Sequence, residues 1–408
     1  MDITPVAYNT STNIPASELD RRIKKLQRRL VRRGIEGALI LQNTDLFYFA
    51  GTIQQGHLYI PGDGDPILLV KKSLHRAMAE SGIPNIVPME SLRQLPDLMK
   101  DADGVVPQIL GMELDVLPVN HYLKYKALFD AANIVDISHD IRTIRAVKSA
   151  FEIDMIRQAS RLADQVAACL KDELIEGIAE VALAGKMEAI ARQLGHQGMI
   201  RMRLWGSEMF YGHLLSGASA AVPSYLASPT GGEALSPAFS QGAGFNKIRR
   251  HEPVLFDYVF AYRGYLADHT RIFAIGKLSD ELVQAHQVML DLQAALSECM
   301  VPGAVTGDIY ETALAFADKA GYADYFMGAE AERIRFVGHG IGLELDEYPF
   351  LAKGQQLELQ EGMVIALEPK LVIPGKGVVG VENTHRVGEK GLERLTNYPD
   401  EITIVTPD

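Results

Sequence analysis

The chain has 408 residues, more than one ordinary hydrophobic core accommodates, so two domains are expected. Its hydrophobic content of 47% and charged content of 23% are those of a soluble globular protein, and a net charge of −12 argues against a nucleic acid bound through its phosphates. Cys169 and Cys299 fit neither a disulfide framework nor a zinc spacing, which suits a reducing compartment.

The opening stretch, MDITPVAYNTSTNIPASELD, lacks a basic segment followed by an apolar one, and no apolar run reaches membrane-spanning length. A cytoplasmic location without a membrane partner is the expectation. SELDRRIKKLQRRLVRRG then opens on a cap-like serine, spaces Leu19, Ile23, Leu26 and Leu30 along one helical face, and closes at Gly34. Its many basic residues read as the solvated face of that helix. GALILQ, GHLYIPG and PILLV follow as strands with turn residues between them. Residues 1–140 thus predict a small α/β domain, with a boundary near Ser138 and a second domain over 141–408.

The second domain begins with one long helical stretch, IRTIRAVKSAFEIDMIRQASRLADQVAACLKDEL, and a further helix, AEVALAGKMEAIARQLG. From about residue 201 strand-like runs take over: VLFDYVFAY, YLADHTRIFAIG, GMVIALEPKLVI and VVGVENTHRV. Helices SDELVQAHQVMLDLQAALSECM and TGDIYETALAFADKAG lie between them. Segment 226–250 is rich in Gly, Pro and Ser and has no GK[ST] signature, so it reads as an ordered loop beside a site or a subunit contact rather than a phosphate loop.

Carboxylates on these strands fall into register. A tight turn at Arg263-Gly264 pairs Tyr262 with Tyr265 and so Asp257 with Thr270, which puts Asp268 on the same face as Asp257 and diagonal to it. A turn centred on Gly375 sets Glu368 opposite Glu382. Like charges held across a ladder destabilise it unless a raised pKa, a basic side chain or a metal cancels them. Only Arg271 near Asp268 and Lys370 near Glu368 have suitable parity, and four carboxylates need more positive charge than that. A pair of divalent cations would supply it. His339, in FVGHGIGLELDEYP, is then a fifth ligand, with Gly338, Gly340 and Gly342 taking unusual backbone angles and making room for ions and substrate. One imidazole with four carboxylates favours manganese, iron or cobalt, with zinc also possible.

The order Asp, Asp, His, Glu, Glu over strand, strand, Gly-rich segment, strand, strand resembles the M24 metallopeptidase family, the pita-bread fold of Xaa-Pro aminopeptidase, prolidase and methionine aminopeptidase, which creatinase shares without the metals. FDYVFAYRGYLADHTRIF, GHGIGL, EGMVIALEP and VGVENT carry the resemblance. LFYFAG is similar to a strand end in the N-terminal domain of creatinase and prolidase, and IRAVKSAFEIDMIRQA to the entry into their catalytic domain. The resemblance implies a creatinase-like α/β domain followed by a curved antiparallel sheet flanked by helices. It implies Asp257, Asp268, His339, Glu368 and Glu382 as metal ligands, with Asp268 and Glu382 bridging two ions and Glu368 as general acid/base. It also implies a homodimer.

Departures from the family pattern concern the groups that grip a peptide. Asp346 stands where GHGIGLxxHExP has its second histidine, and Ser224 where a first-strand histidine follows SGxNxxxPH. Gly380 stands two before the last ligand, where an arginine is frequent, and the usual DxG reads DYV. An ionised Asp346 cannot donate to an oxyanion; it would attract a cationic substrate or act as a base. The expected activity is therefore hydrolysis of a small amide or dipeptide-like C–N bond, as in Xaa-Pro aminopeptidase or prolidase. One alternative is a metal-dependent lyase or amidohydrolase of a non-peptide metabolite, as in dimethylsulfoniopropionate lyase, whose extra acidic ligand is replaced here by Val259. The other is a catalytically silent binding module.

Overall fold

The computed structural model describes residues 13–329 and 332–406, so the reading of the first twelve residues lies outside what it describes. The chain divides into two compact units between Arg145 and Ala146.

The first unit opens with α1 (Ala16–Arg32), which buries Leu19, Ile23, Leu26 and Leu30 as their spacing requires. Pro15 is its N-cap and no side chain among the described residues caps it, so Ser17 does not play the role expected of it. Six short strands follow: β1 (Gly37–Ile40), β2 (Gly56–Pro61), β3 (Ile67–Val70), β4 (Asn85–Pro88), β5 (Ile109–Met112) and β6 (Asn133–Asp136). They form one mixed sheet in the order β4-β3-β2-β1-β5-β6, with β2 antiparallel to both its neighbours. LFYFAG is not a strand end. It lies in helix α2 (Asn43–Ala50), where the Gln42 side chain accepts from Asp45 N and Gly51, at φ 75°, closes the C-terminus. Caps at both ends outweigh the β preference of its aromatic residues. Helices α3 (Leu74–Glu80), α4 (Leu95–Asp103), α5 (Val119–Leu128) and α6 (Ser138–Ala146) complete the unit, and the boundary expected at 140/141 falls inside α6.

The long helix expected to continue from there is interrupted. Val147 bridges to Met363, and Ser149 restarts the helix as α7 (Ala150–Glu173) through a reciprocal capping box with Glu152. After α8 (Glu180–Gln193) come β7 (Gly212–Ser216), β8 (Val254–Tyr262), β9 (Tyr265–Ile275), α9 (Asp280–Cys299) and α10 (Thr306–Lys319). The chain then runs through β10 (Phe336–Gly340), β11 (Glu347–Ala352), β12 (Val364–Leu367), β13 (Lys370–Ile373), β14 (Gly377–Gly380), β15 (Asn383–Gly388), β16 (Gly391–Arg394) and β17 (Thr403–Val405). Segment 226–250 carries isolated bridges but no helix or strand.

Three sheets result: β17-β9-β8-β7, β11-β10-β12-β15-β16 and the hairpin β13-β14. Two runs expected as single strands are each cut in two. GMVIALEPKLVI leaves one sheet after Leu367 and enters another at Lys370, because Pro369 has no N–H for the ladder and restricts Glu368 before it. VVGVENTHRV breaks likewise between Gly380 and Asn383. Apolar residues from α9, α10, β9, β12, β13 and β14 make one buried core, among them Leu292, Leu296, Ile272, Ile365, Leu371 and Val379.

Candidate metal centre

One cavity, with about 600 Å³ of empty space partly open to solvent, is lined by Asp257, Asp268, His339, Glu368 and Glu382. Asp257 pairs with Thr270 and Asp268 with Val259, so the hairpin register is the one read from the turn. The β13-β14 ladder pairs Lys370 with Gly380 and Leu371 with Val379; the same register carried outward sets Glu368 against Glu382, with Val381 N donating to Pro369 O between them. Both glutamates stand where the chain passes between sheets. Glu368 N donates to Val337 O, and Glu382 exchanges backbone hydrogen bonds with Thr270 of β9. His339 lies on β10, opposite Ala366 of β12.

The glycines beside His339 have a different task from the one their sequence suggested. None of them adopts a positive φ. A Cβ on Gly338 would stand 2.6 Å from Ala366 O, one on Gly340 2.1 Å from Tyr348 O, and one on Gly342 2.8 Å from Glu347 Oε2. The space is filled by neighbouring strands and by Glu347, so these glycines set the packing that aims His339.

Lys370, one of the two basic side chains expected at suitable parity, reaches three of the four carboxylates. Its ammonium donates to Glu382 Oε2 at 2.7 Å, Glu368 Oε2 at 2.8 Å and Asp257 Oδ2 at 3.1 Å, and the residue is 1% exposed. Burial alone would lower its pKa, but Asp257, Glu368 and Glu382 together hold it well above the usual lysine range. Arg271, the other basic candidate, points away: its guanidinium serves Thr270 O, Glu382 O, Asn383 Oδ1 and Tyr398 O, fixing the backbone that presents Glu382.

The remaining electrostatics follow from burial and neighbours. Burial, reinforced by Glu382 and Asp257, pushes Asp268 well up, and burial likewise raises Glu368 to about 7. Burial works the same way on Glu382, but Lys370, His339 and the 2.8 Å hydrogen bond from Thr270 Oγ1 hold it below its ordinary value. His339 is raised, since Asp346, Glu368 and Glu382 outweigh its burial. Its Nδ1 lies 3.1 Å from Gly340 O and 3.5 Å from Asp346 Oδ1, while Nε2 faces Glu368 at 3.7 Å and Glu382 at 4.0 Å.

Asp346, with φ 62°, therefore lines the cavity as a neighbour of His339. Ser224 is not among the lining residues; its hydroxyl accepts from Leu226 N at 3.0 Å. Of the candidate donors His213, Tyr211, Tyr225, His251 and His269, His213 lines the cavity and the others do not. It sits opposite Asp257, is 2% exposed, and its Nε2 has no hydrogen-bond partner among the described residues. Burial lowers its pKa and keeps it neutral. Tyr211 packs against the ring of His196, Tyr225 is exposed, His251 binds Lys277 O, and His269 lies 3.6 Å from Asp164.

The donors fit a divalent ion on one side of the cluster. One ligand atom each from Asp268, His339 and Glu382 lies within 4.8 Å of the others, and buried Asp268 Oδ1 has no hydrogen-bond partner among the described residues. A buried carboxylate oxygen left alone is costly, and a cation relieves it. Asp257 and Glu368 instead face the ammonium of Lys370.

A model of metallopeptidase family M24 matches residues 154–389, and one of the creatinase/prolidase N-terminal domain matches residues 22–147. An Xaa-Pro dipeptidase of Pyrococcus furiosus is 27% identical over 386 residues, covering 94% of this chain and 100% of that protein. An uncharacterised peptidase of Bacillus subtilis is also 27% identical over 386 residues, with the same coverage. The solved prolidase of Pyrococcus horikoshii matches with a TM-score of 0.78 at 25% identity, covering 94% of this chain and 99% of that one.

Proposed function

Because the chain belongs to metallopeptidase family M24, we propose that it is a divalent-metal-dependent hydrolase of a C–N bond in a small amide or dipeptide-like substrate, of the Xaa-Pro dipeptidase type. Its two units are the creatinase/prolidase N-terminal domain and the M24 pita-bread domain. The observation that carries the activity is the convergence of Asp268, His339 and Glu382 on one cavity, with Asp268 Oδ1 lacking a hydrogen-bond partner among the described residues.

Asp268, His339 and Glu382 would hold an ion, and Asp257 and Glu368 would complete the set that the resemblance assigns to a pair. The oxygen-rich donor set favours manganese, iron or cobalt, with zinc possible. Bound there, such an ion supplies Lewis acidity to the scissile carbonyl. Glu368, whose pKa is raised to about 7 by burial, takes a proton from the attacking water and returns it to the leaving nitrogen. His213 offers a neutral ring N–H to the developing oxyanion. Gly340 O and Asp346 hold Nδ1 of His339 and leave Nε2 turned toward the glutamates, so Asp346 acts as a positioning group.

A second reading, a lyase or amidohydrolase of a non-peptide metabolite, is favoured by Asp346 itself. It puts a carboxyl group where peptidases of this fold have an imidazole donor, and Ser224 supplies none from outside the cavity. The deciding experiment loads the purified protein with manganese, cobalt, iron or zinc and offers Xaa-Pro dipeptides beside betaines, sulfonio compounds and N-acyl metabolites. Turnover of the dipeptides that chelation abolishes supports the first reading; turnover confined to the non-peptides supports the second. Full turnover after exhaustive chelation sinks both.

A further inference from the structure

We propose that Lys370 is a built-in cation that takes the place of one of the two divalent ions, so that each chain binds a single ion, at Asp268, His339 and Glu382. This rests on the metal-dependent reading above and concerns only how many ions the site admits.

The carboxylates divide into two groups. An ammonium has three protons to donate, and Lys370 spends them on Asp257, Glu368 and Glu382 at 3.1, 2.8 and 2.7 Å. Asp268 is left out of this set, and its buried Oδ1 has no hydrogen-bond partner among the described residues. Glu382 belongs to both groups: Oε2 takes the ammonium while Oε1 lies 4.0 Å from His339 Nε2. A carboxylate shared between two cationic positions is what two metals would require of Glu382; here one of the positions is covalent.

The backbone is shaped around this arrangement. Lys370 pairs with Gly380 across the β13-β14 ladder. A Cβ on Gly380 would stand 2.4 Å from Pro369 O, 2.7 Å from Lys370 Cα and 3.2 Å from Lys370 Cγ, and the residue has φ 144°. A second divalent ion would need the oxygens of Asp257 and Glu368 that the ammonium now occupies. It would also stand beside a fixed positive charge in a site of low dielectric, where repulsion is strong. One ammonium and one divalent ion bring three positive charges to four carboxylates, and the cluster needs no second ion to avoid a large unbalanced charge.

The test is a count. Full-length protein is stripped with chelator, reloaded with excess manganese, desalted, and analysed for manganese per chain by plasma mass spectrometry. Wild type should retain one ion, and Lys370→Gly, which frees Asp257 and Glu368, should retain two. Two ions in wild type overturn the proposal and leave metal dependence standing. One ion in both wild type and folded Lys370→Gly also overturns it, since Lys370 then excludes nothing. No ion in either protein overturns the metal reading as well. Should Lys370→Gly fail to fold, the electron paramagnetic resonance spectrum of the manganese-loaded wild type decides alone. An isolated-ion signal supports a single site, and a spin-coupled pair overturns it.

Discussion

Glu368 meets two demands at once: it is an acceptor for Lys370 and the proposed carrier of the reaction's proton. Glu368→Gln keeps the volume and removes the base, so kcat should fall by about 10²–10⁴ while the melting temperature shows the fold intact. Its titration also predicts stability. Burial moves Glu368 from its ordinary 4.5 up to about 7, so between these values the folded chain holds a proton that the unfolded chain has released. That contribution is present at low pH and lost as pH rises through about 7. His339 and Asp268 are raised in the same sense, and Glu382 opposes them. Chelated protein should therefore melt at a lower temperature just above pH 7 than near pH 5, by calorimetry; a rising melting temperature across that interval would contradict the assignment. Asp346→His restores an imidazole and should raise Xaa-Pro hydrolysis by about 10²-fold if the missing donor limits the wild type. The register of Asp257 against Thr270 was legible because a two-residue turn leaves one pairing. The place of Lys370 was not: spacing shows that it shares a side with Glu368, but not that a flexible four-carbon stem curls back to reach three carboxylates.

Among the elements, those with a clear period and an isolated cap were readable from sequence. α9 begins at Ser279, whose side chain accepts from Leu282 N, and α10 matches its apolar spacing. Failures occurred where a local signal competed with a longer pattern. The helix expected from 141 to 174 has no obvious break in its periodicity, yet the Ser149–Glu152 capping box restarts it. Ser149→Ala should therefore cost about 1 kcal/mol of stability, measured by urea unfolding, with Glu152 left unable to compensate. The breaks in GMVIALEPKLVI and VVGVENTHRV were signalled by Pro369 and Gly380, but a proline at a strand end and one inside a continuous run look alike until the partner strands are known.

On the scale of the molecule, the matches to the two domain models and to full-length relatives account for nearly the whole chain. No helix among the described residues is long and apolar enough to cross a membrane. We infer a homodimer from the family, and light scattering should give about twice the 44.8 kDa of one chain; a value at one chain mass removes that inference. What the whole-chain pattern conveyed was the ladder of acidic residues and the order of the proposed ligands. What it could not convey was their distribution over two sheets and the crossings between sheets, since strand pairing between distant segments leaves no local mark. Glu382 touches β9 through Thr270, and Lys370 joins it to Glu368 and Asp257 from β13. The junction of those sheets thus brings its own counter-charge along the polypeptide. On the metal-dependent reading proposed above, that junction could close before an ion binds, so that folding of the domain and loading of the metal would be separate events.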